Sequence, residues 1–145
     1  YNIPADSVNL EITESVAITS GYMLKKNMDE LKKMGCSFSM DDFGTGYSNL
    51  SQIVKTEFEV IKIDKSLLWP CFDEKNKSLQ NAKMLLETLI ELMLKFGYEI
   101  VVEGIETQEQ FEYLKKQGIT FAQGYYFSKP LCENDFIEFL EKNNK

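Results

Sequence analysis

Met40-Asp41-Asp42-Phe43-Gly44-Thr45-Gly46-Tyr47-Ser48 closes an apolar run on two adjacent carboxylates and passes at once into a glycine-rich turn. Neighbouring anions at a strand end repel each other and call for a cation, which makes the stretch a candidate metal and phosphate site. The pattern recurs outward along the chain. Strand-like apolar segments occupy residues 8–12, 36–40, 60–63, 99–102 and 120–127. Polar groups stand at the end of each: Glu11 and Glu14, Asp41 and Asp42, Lys62 and Asp64, Glu103 and Glu106, and Gln123. Singly, each has a bland reading as a helix cap, a surface acid, a snorkelling lysine or a turn glycine. Together, at one edge of a parallel sheet, they occupy the place where α/β folds build active sites.

The intervening segments read as helices. Leu24, Met28 and Leu31 share a helical face, with Gly35 as a stop. A short helix is expected over residues 48–54. A longer one carries Leu79, Leu85, Leu86, Leu89, Ile90, Met93 and Leu94 on one side and stops at Gly97. Thr107-Gln108-Glu109-Gln110 has the capping-box pattern and opens a helix that turns Phe111 and Leu114 inward and stops at Gly118. A last helix has Phe136, Ile137 and Leu140. Strand and helix alternate, which predicts parallel strands joined by helical crossovers. Residues 73–78 read as an exposed charged loop, and no domain boundary stands out.

Composition narrows the chemistry. The 145 residues suit one domain, and the 43 % apolar content argues against disorder. A net charge of −7 disfavours binding to a nucleic-acid polymer but not to a nucleotide held through cations. Histidine is absent, which removes Ser-His-Asp and Cys-His sites and histidine-held zinc. Cys36, Cys71 and Cys132 lie far apart, fitting a reducing compartment, so a cytoplasmic location is expected. No apolar run is long enough to span a membrane, although a longer parent protein could be tethered to one. The opening residue, Tyr1, reads as the middle of something longer.

The chain resembles the C-terminal part of an EAL domain, the cyclic-di-GMP phosphodiesterase family. The resemblance rests on Leu10-Glu11-Ile12-Thr13-Glu14-Ser15, Asp41-Asp42-Phe43-Gly44-Thr45-Gly46-Tyr47-Ser48, Ile61-Lys62-Ile63-Asp64-Lys65-Ser66, Val102-Glu103-Gly104-Ile105-Glu106-Thr107 and Gln123-Gly124-Tyr125-Tyr126-Phe127-Ser128-Lys129-Pro130. It implies the last five β/α units of a modified TIM-type (β/α)8 barrel, left incomplete in this chain, with residues 1–145 as a partial EAL domain. Glu11, Asp41 and Asp42 would then be metal ligands, Lys62 the lysine near the attacking water, and Glu103 the general base or second-metal partner. Gln123 and Glu106 would join the active-site network. Glu14 would anchor the loop that contains Phe43, Gly44, Thr45 and Gly46. The implied cofactor is Mg2+ or Mn2+, two ions in a complete domain, and the implied reaction is hydrolysis of cyclic di-GMP to linear pGpG. A homodimer through the loop after Asp42 and its neighbouring helix is implied as well.

The family's Glu-Ala-Leu motif and an upstream Asn ligand are absent from these residues, and a complete barrel needs about 250 residues. The isolated chain is therefore expected to hydrolyse cyclic di-GMP weakly or not at all, and to be a fragment or to pair with another chain. Two alternatives stand beside the enzyme: an EAL-type receptor that binds cyclic di-GMP without cleaving it, and a dimerisation module.

Overall fold

Parallel neighbours cannot be joined by a tight hairpin, so each pair of strands must be separated by a crossover segment. The computed structural model, which describes residues 2–46 and 50–143, shows five such strands in a single sheet. They are β1 (Asn9–Thr13), β2 (Ser37–Phe43), β3 (Val60–Ile63), β4 (Glu99–Val102) and β5 (Phe121–Ala122), all parallel and side by side in chain order. Helices α1 (Glu14–Thr19) and α2 (Gly21–Lys33) join β1 to β2, and α3 (Leu50–Lys55) joins β2 to β3. Between β3 and β4 run α4 (Lys65–Leu68), a 3-10 turn at Trp69–Cys71, and α5 (Leu79–Lys95). Helix α6 (Gln108–Lys116) leads to β5, and α7 (Glu133–Asn143) follows it.

The register sorts side chains onto two faces, because aligned residues of parallel strands point the same way and successive residues alternate. Leu10 aligns with Phe38, Met40 with Ile61, and Ile61 with Ile100. That face meets the helices and forms the core, where Phe38, Met40, Ile61, Ile63, Ile100 and Val102 bury with Leu86, Ile90 and Met93 of α5. The other face carries Glu11, Ser39, Lys62, Val101 and the residues just beyond them. Apolar and polar positions therefore alternate within β3, where Lys62 lies between two fully buried isoleucines.

Several elements depart from the sequence expectation. Strand β2 runs on through the acidic pair to Phe43, since a shift of register between Met40 and Phe43 lets Phe43 pair with Ile63. Phe43, expected in the loop, is consequently a fully buried core residue. Strand β5 covers two residues instead of eight, because the chain from Gln123 onward turns to bond the backbone of Ile105. Helices α1 and α4 lack a sequence signal of their own. Leu85 is half exposed on the outer side of α5, and Phe136, Ile137 and Leu140 of α7 are 50 %, 47 % and 40 % exposed, so no described element covers that stripe. The predicted short helix starts at Leu50 among the described residues, and its expected first residues, Ser48 and Asn49, lie outside them. The capping box is present: Thr107 Oγ1 accepts from the Gln110 backbone N–H at 3.2 Å, and Gln110 Oε1 accepts from the Thr107 N–H at 3.1 Å. No helix among the described residues is long and apolar enough to cross a membrane.

Candidate active site

Lys62 gathers the strand ends. Its ammonium lies 2.8 Å from Glu11 Oε1 of β1, 3.0 Å from Asp41 Oδ1 of β2 and 2.9 Å from Glu103 Oε1 just past β4. The alternation described above is what makes this possible: all four residues share the polar face, and β3 is central to the set. Lys62 is 8 % exposed. Burial would push its amine toward the neutral form, but hydrogen bonding and charge from Glu11, Glu103 and Asp41 outweigh that and raise its pKa above the ordinary lysine value. At neutral pH it is a fixed cation and cannot serve as a base.

The carboxylates are less equal. The Glu11 side chain is 50 % exposed, whereas those of Asp41 and Glu103 are 22 % and 18 % exposed. Asp41 Oδ1 is buried, and its partner is the Lys62 ammonium. Asp42 does not join the cluster. It adopts a left-handed backbone, φ 57, at the bulge in β2, a conformation that Asp tolerates better than most residues and that concentrates at functional sites. Its carbonyl accepts from the Thr45 hydroxyl at 2.9 Å and so starts the glycine-rich turn.

That turn is tied down from below. Glu14, 3 % exposed, accepts from the Gly44 N–H through Oε2 at 3.1 Å. Its other oxygen is buried without a hydrogen bond among the described residues. Thr45 and Gly46 are exposed, and Tyr47 lies outside the described residues. Gln123 and Glu106 enter by their backbones. Gln123 donates to the Val102 carbonyl at 2.9 Å and accepts from the Ile105 N–H at 3.1 Å, while the Glu106 N–H donates to Gln110 Oε1 at 2.8 Å. Both residues are exposed, and neither is among the acids paired with Lys62, which are Glu11, Asp41 and Glu103.

Three residues of the site's frame carry no chemical signal in the sequence. Gly104, φ 70, lies so close to α4 that a Cβ there would come within 2.4 Å of Lys65 Cβ. Gly124 packs on the Ile105 backbone, where a Cβ would lie 2.1 Å from the carbonyl oxygen. Trp69 donates its indole N–H to the Gly104 carbonyl at 2.9 Å. The two glycines lie inside quoted motifs, and Trp69 is flagged as the single tryptophan of the chain.

The donor chemistry suits a hard divalent cation, because the carboxylates at these strand ends supply only oxygen ligands. Among the described residues no three acids are grouped closely enough to hold such an ion by themselves. The positive charge that these acids surround is that of Lys62.

Known proteins resemble this chain in sequence and in fold. A family model described as EAL domain matches residues 1–130. The cyclic di-GMP phosphodiesterase RocR of Pseudomonas aeruginosa is 34 % identical over 139 residues, covering 96 % of this chain and 34 % of RocR. The EAL enzyme Bd1971, solved with cAMP and cyclic-di-GMP bound, superposes with a TM-score of 0.86 at 28 % identity, over 96 % of this chain and 35 % of that one. BlrP1 of Klebsiella pneumoniae, solved in manganese/cyclic-di-GMP and calcium/cyclic-di-GMP complexes, superposes at 0.76 with 29 % identity, over 88 % of this chain and 31 % of its own. The 145 residues thus span about a third of the length of these relatives. The strand order, the helical crossovers and the extent of the family match agree: this chain belongs to the EAL domain family.

Proposed function

We propose that the chain is part of a metal-dependent phosphodiesterase that hydrolyses cyclic di-GMP to linear pGpG. The observation that carries this reading is the convergence of Glu11, Asp41 and Glu103 from three strand ends on the Lys62 ammonium. Glu11, Asp41 and the adjacent Asp42 would hold Mg2+ or Mn2+, with two ions in a complete domain. A divalent ion bound there supplies acidification of water and neutralisation of phosphate charge. Lys62, held as an ammonium, donates hydrogen bonds to the attacking water or to a phosphate oxygen. Glu103 accepts the proton that the water loses, and its contact with Lys62 aims it. Glu14 fixes the turn after Asp42 through Gly44, which leaves Thr45 and Gly46 free to meet substrate or a second subunit in a homodimer.

The reading takes residues 1–145 as a partial EAL domain. The Glu-Ala-Leu motif and the Asn ligand are not among them, so the 145 residues alone turn over little substrate. Three free cysteines fit a reducing, cytoplasmic setting. A receptor that binds cyclic di-GMP without cleaving it is the second reading, favoured by the absence of a self-sufficient acidic triad among the described residues. The test is turnover of cyclic di-GMP by the intact protein with Mg2+ or Mn2+. Asp41→Asn and Glu103→Gln should each lower kcat by at least about 100-fold. Tight binding without turnover in the unaltered protein would favour the receptor.

A further inference from the structure

We propose that Trp69 is a positioning residue for Glu103, acting through the backbone of Gly104. The proposal rests on the reading of Glu103 as a participant in the site.

Glu103 is the first residue beyond β4. Its N–H continues the ladder to the Ile63 carbonyl at 2.9 Å, and its carboxylate reaches Lys62. The next residue turns the chain through φ 70, so the direction in which Glu103 presents its side chain depends on how that bend is held. Beyond the bend, the grip is backbone to backbone: the Ile105 N–H donates to the Gln123 carbonyl at 3.1 Å, and the Ile105 carbonyl accepts from the Tyr126 N–H at 3.0 Å. On the β3 side, the Gly104 carbonyl accepts from the Trp69 indole at 2.9 Å. This is the grip that a side-chain substitution can remove.

Trp69 is poorly explained as a core residue. It is 40 % exposed and stands in the short turn after α4. Both of its functional parts are nevertheless engaged: the N–H with Gly104 and the ring face with the Lys65 ammonium at 4.8 Å. Lys65 is also the residue whose Cβ the Gly104 backbone approaches so closely that no side chain fits at 104. The Lys65–Trp69 segment thus presses on Gly104 with its start and bonds it with its end. Lys62, three residues before this segment, binds Glu103 itself. One stretch of chain therefore holds both the acid and the bend that aims it. Displacement of a reacting group by about an ångström costs on the order of 100-fold in rate, so the clasp is placed to matter for kcat.

Two variants separate positioning from packing. Trp69→Phe keeps an aromatic ring beside Lys65 and deletes the N–H donor, whereas Trp69→Ala removes both. Amide hydrogen exchange on the intact protein reads the bend directly, and turnover by the same protein reads its consequence. For Trp69→Phe we expect exchange across residues 103–105 to quicken several-fold at unchanged melting temperature, and kcat to fall about tenfold with KM unchanged. Unchanged exchange at 103–105 in Trp69→Phe would overturn the proposal, whatever Trp69→Ala does to stability. Faster exchange with an unchanged kcat would overturn it too, since the contact would then be structural only. Glu103→Gln in the same assays isolates the underlying reading. If that variant turns over normally, the assignment of Glu103 fails and the proposal fails with it. If Glu103→Gln is inactive and Trp69→Phe is normal, only the role of Trp69 fails.

Discussion

A lysine flanked by two isoleucines in a strand would ordinarily reach for water with its charged end. Lys62 ends instead among three acids, 2.8 to 3.0 Å from each. The arrangement is held together by its cation, since the acids alone would repel. Lys62→Met preserves the length and the apolar stem of the side chain and removes the charge. We expect it to destabilise the fold by about 3 kcal/mol, the lower end for a broken buried pair, because Glu11 remains half exposed and can hydrate. Divalent cations should restore more of the melting temperature in this variant than in the unaltered chain. Thermal denaturation with and without Mn2+ checks both points, and equal response of the two proteins would count against charge as the cause. That Glu11, Asp41, Asp42, Lys62 and Glu103 stand at strand ends was readable in advance, because they carry the chemistry in their own side chains; that three of the acids converge on the lysine, without Asp42, was not. The bond between Trp69 and Gly104 was not readable either, since a side chain bonding a backbone carbonyl 35 residues away leaves no periodicity and no motif of its own.

Among elements, β3 and β4 were legible to the residue because β-branched residues fill all but one position of each. Strand β2 was read short, since an acidic pair looks like an end, and only a bulge allows Phe43 to return to the ladder. Strand β5 was read long for the opposite reason: residues 123–127 are aromatic enough for a strand, yet their backbone is spent on Ile105 and on a local turn. Helix α6 was predicted by its cap, and the cap sets a stability prediction. Thr107→Ala should cost about 1 kcal/mol, or about 3 °C in Tm for a domain of this size, as measured by thermal melting. The packing of α6 on α5 sets another. Tyr113 donates its hydroxyl to Glu87 at 2.8 Å, and its ring meets Phe72 edge-on. Burial, then the hydrogen bond and charge of Glu87, push the Tyr113 hydroxyl above its usual pKa. The folded chain binds that proton more tightly than the unfolded chain. The associated stability is whole below about pH 10 and is lost as pH rises further. Tyr113→Phe should therefore flatten, without abolishing, the fall in stability above that pH, because Lys62 is raised as well and remains. Chemical denaturation at stepped alkaline pH tests it, and an unchanged slope would refute it.

At the scale of the whole molecule, surface is in excess. A compact monomer of 16.8 kDa exposes about 7,700 Å2 by the usual scaling with mass. This chain exposes 9881 Å2. The surplus, roughly 2,200 Å2, falls in the range buried by obligate assemblies. Part of it is the stripe on α7 and the neighbouring Tyr125, Phe127 and Leu131, and the sheet is open beyond β1 and β5. We expect the 145 residues, expressed alone, to self-associate in analytical ultracentrifugation, and Phe136→Lys with Leu140→Lys to reduce that association. A monodisperse monomer at tens of micromolar would refute the expectation. The clasp on Gly104 also gives the molecule a built-in optical gauge. The chain has one tryptophan, and its indole touches the bend that carries Glu103. Any ion or nucleotide that draws Glu103 off Lys62 and slackens the bend would wet that indole and shift its emission to the red. Occupancy of the site could then be followed by intrinsic fluorescence, with no label and no substrate turnover.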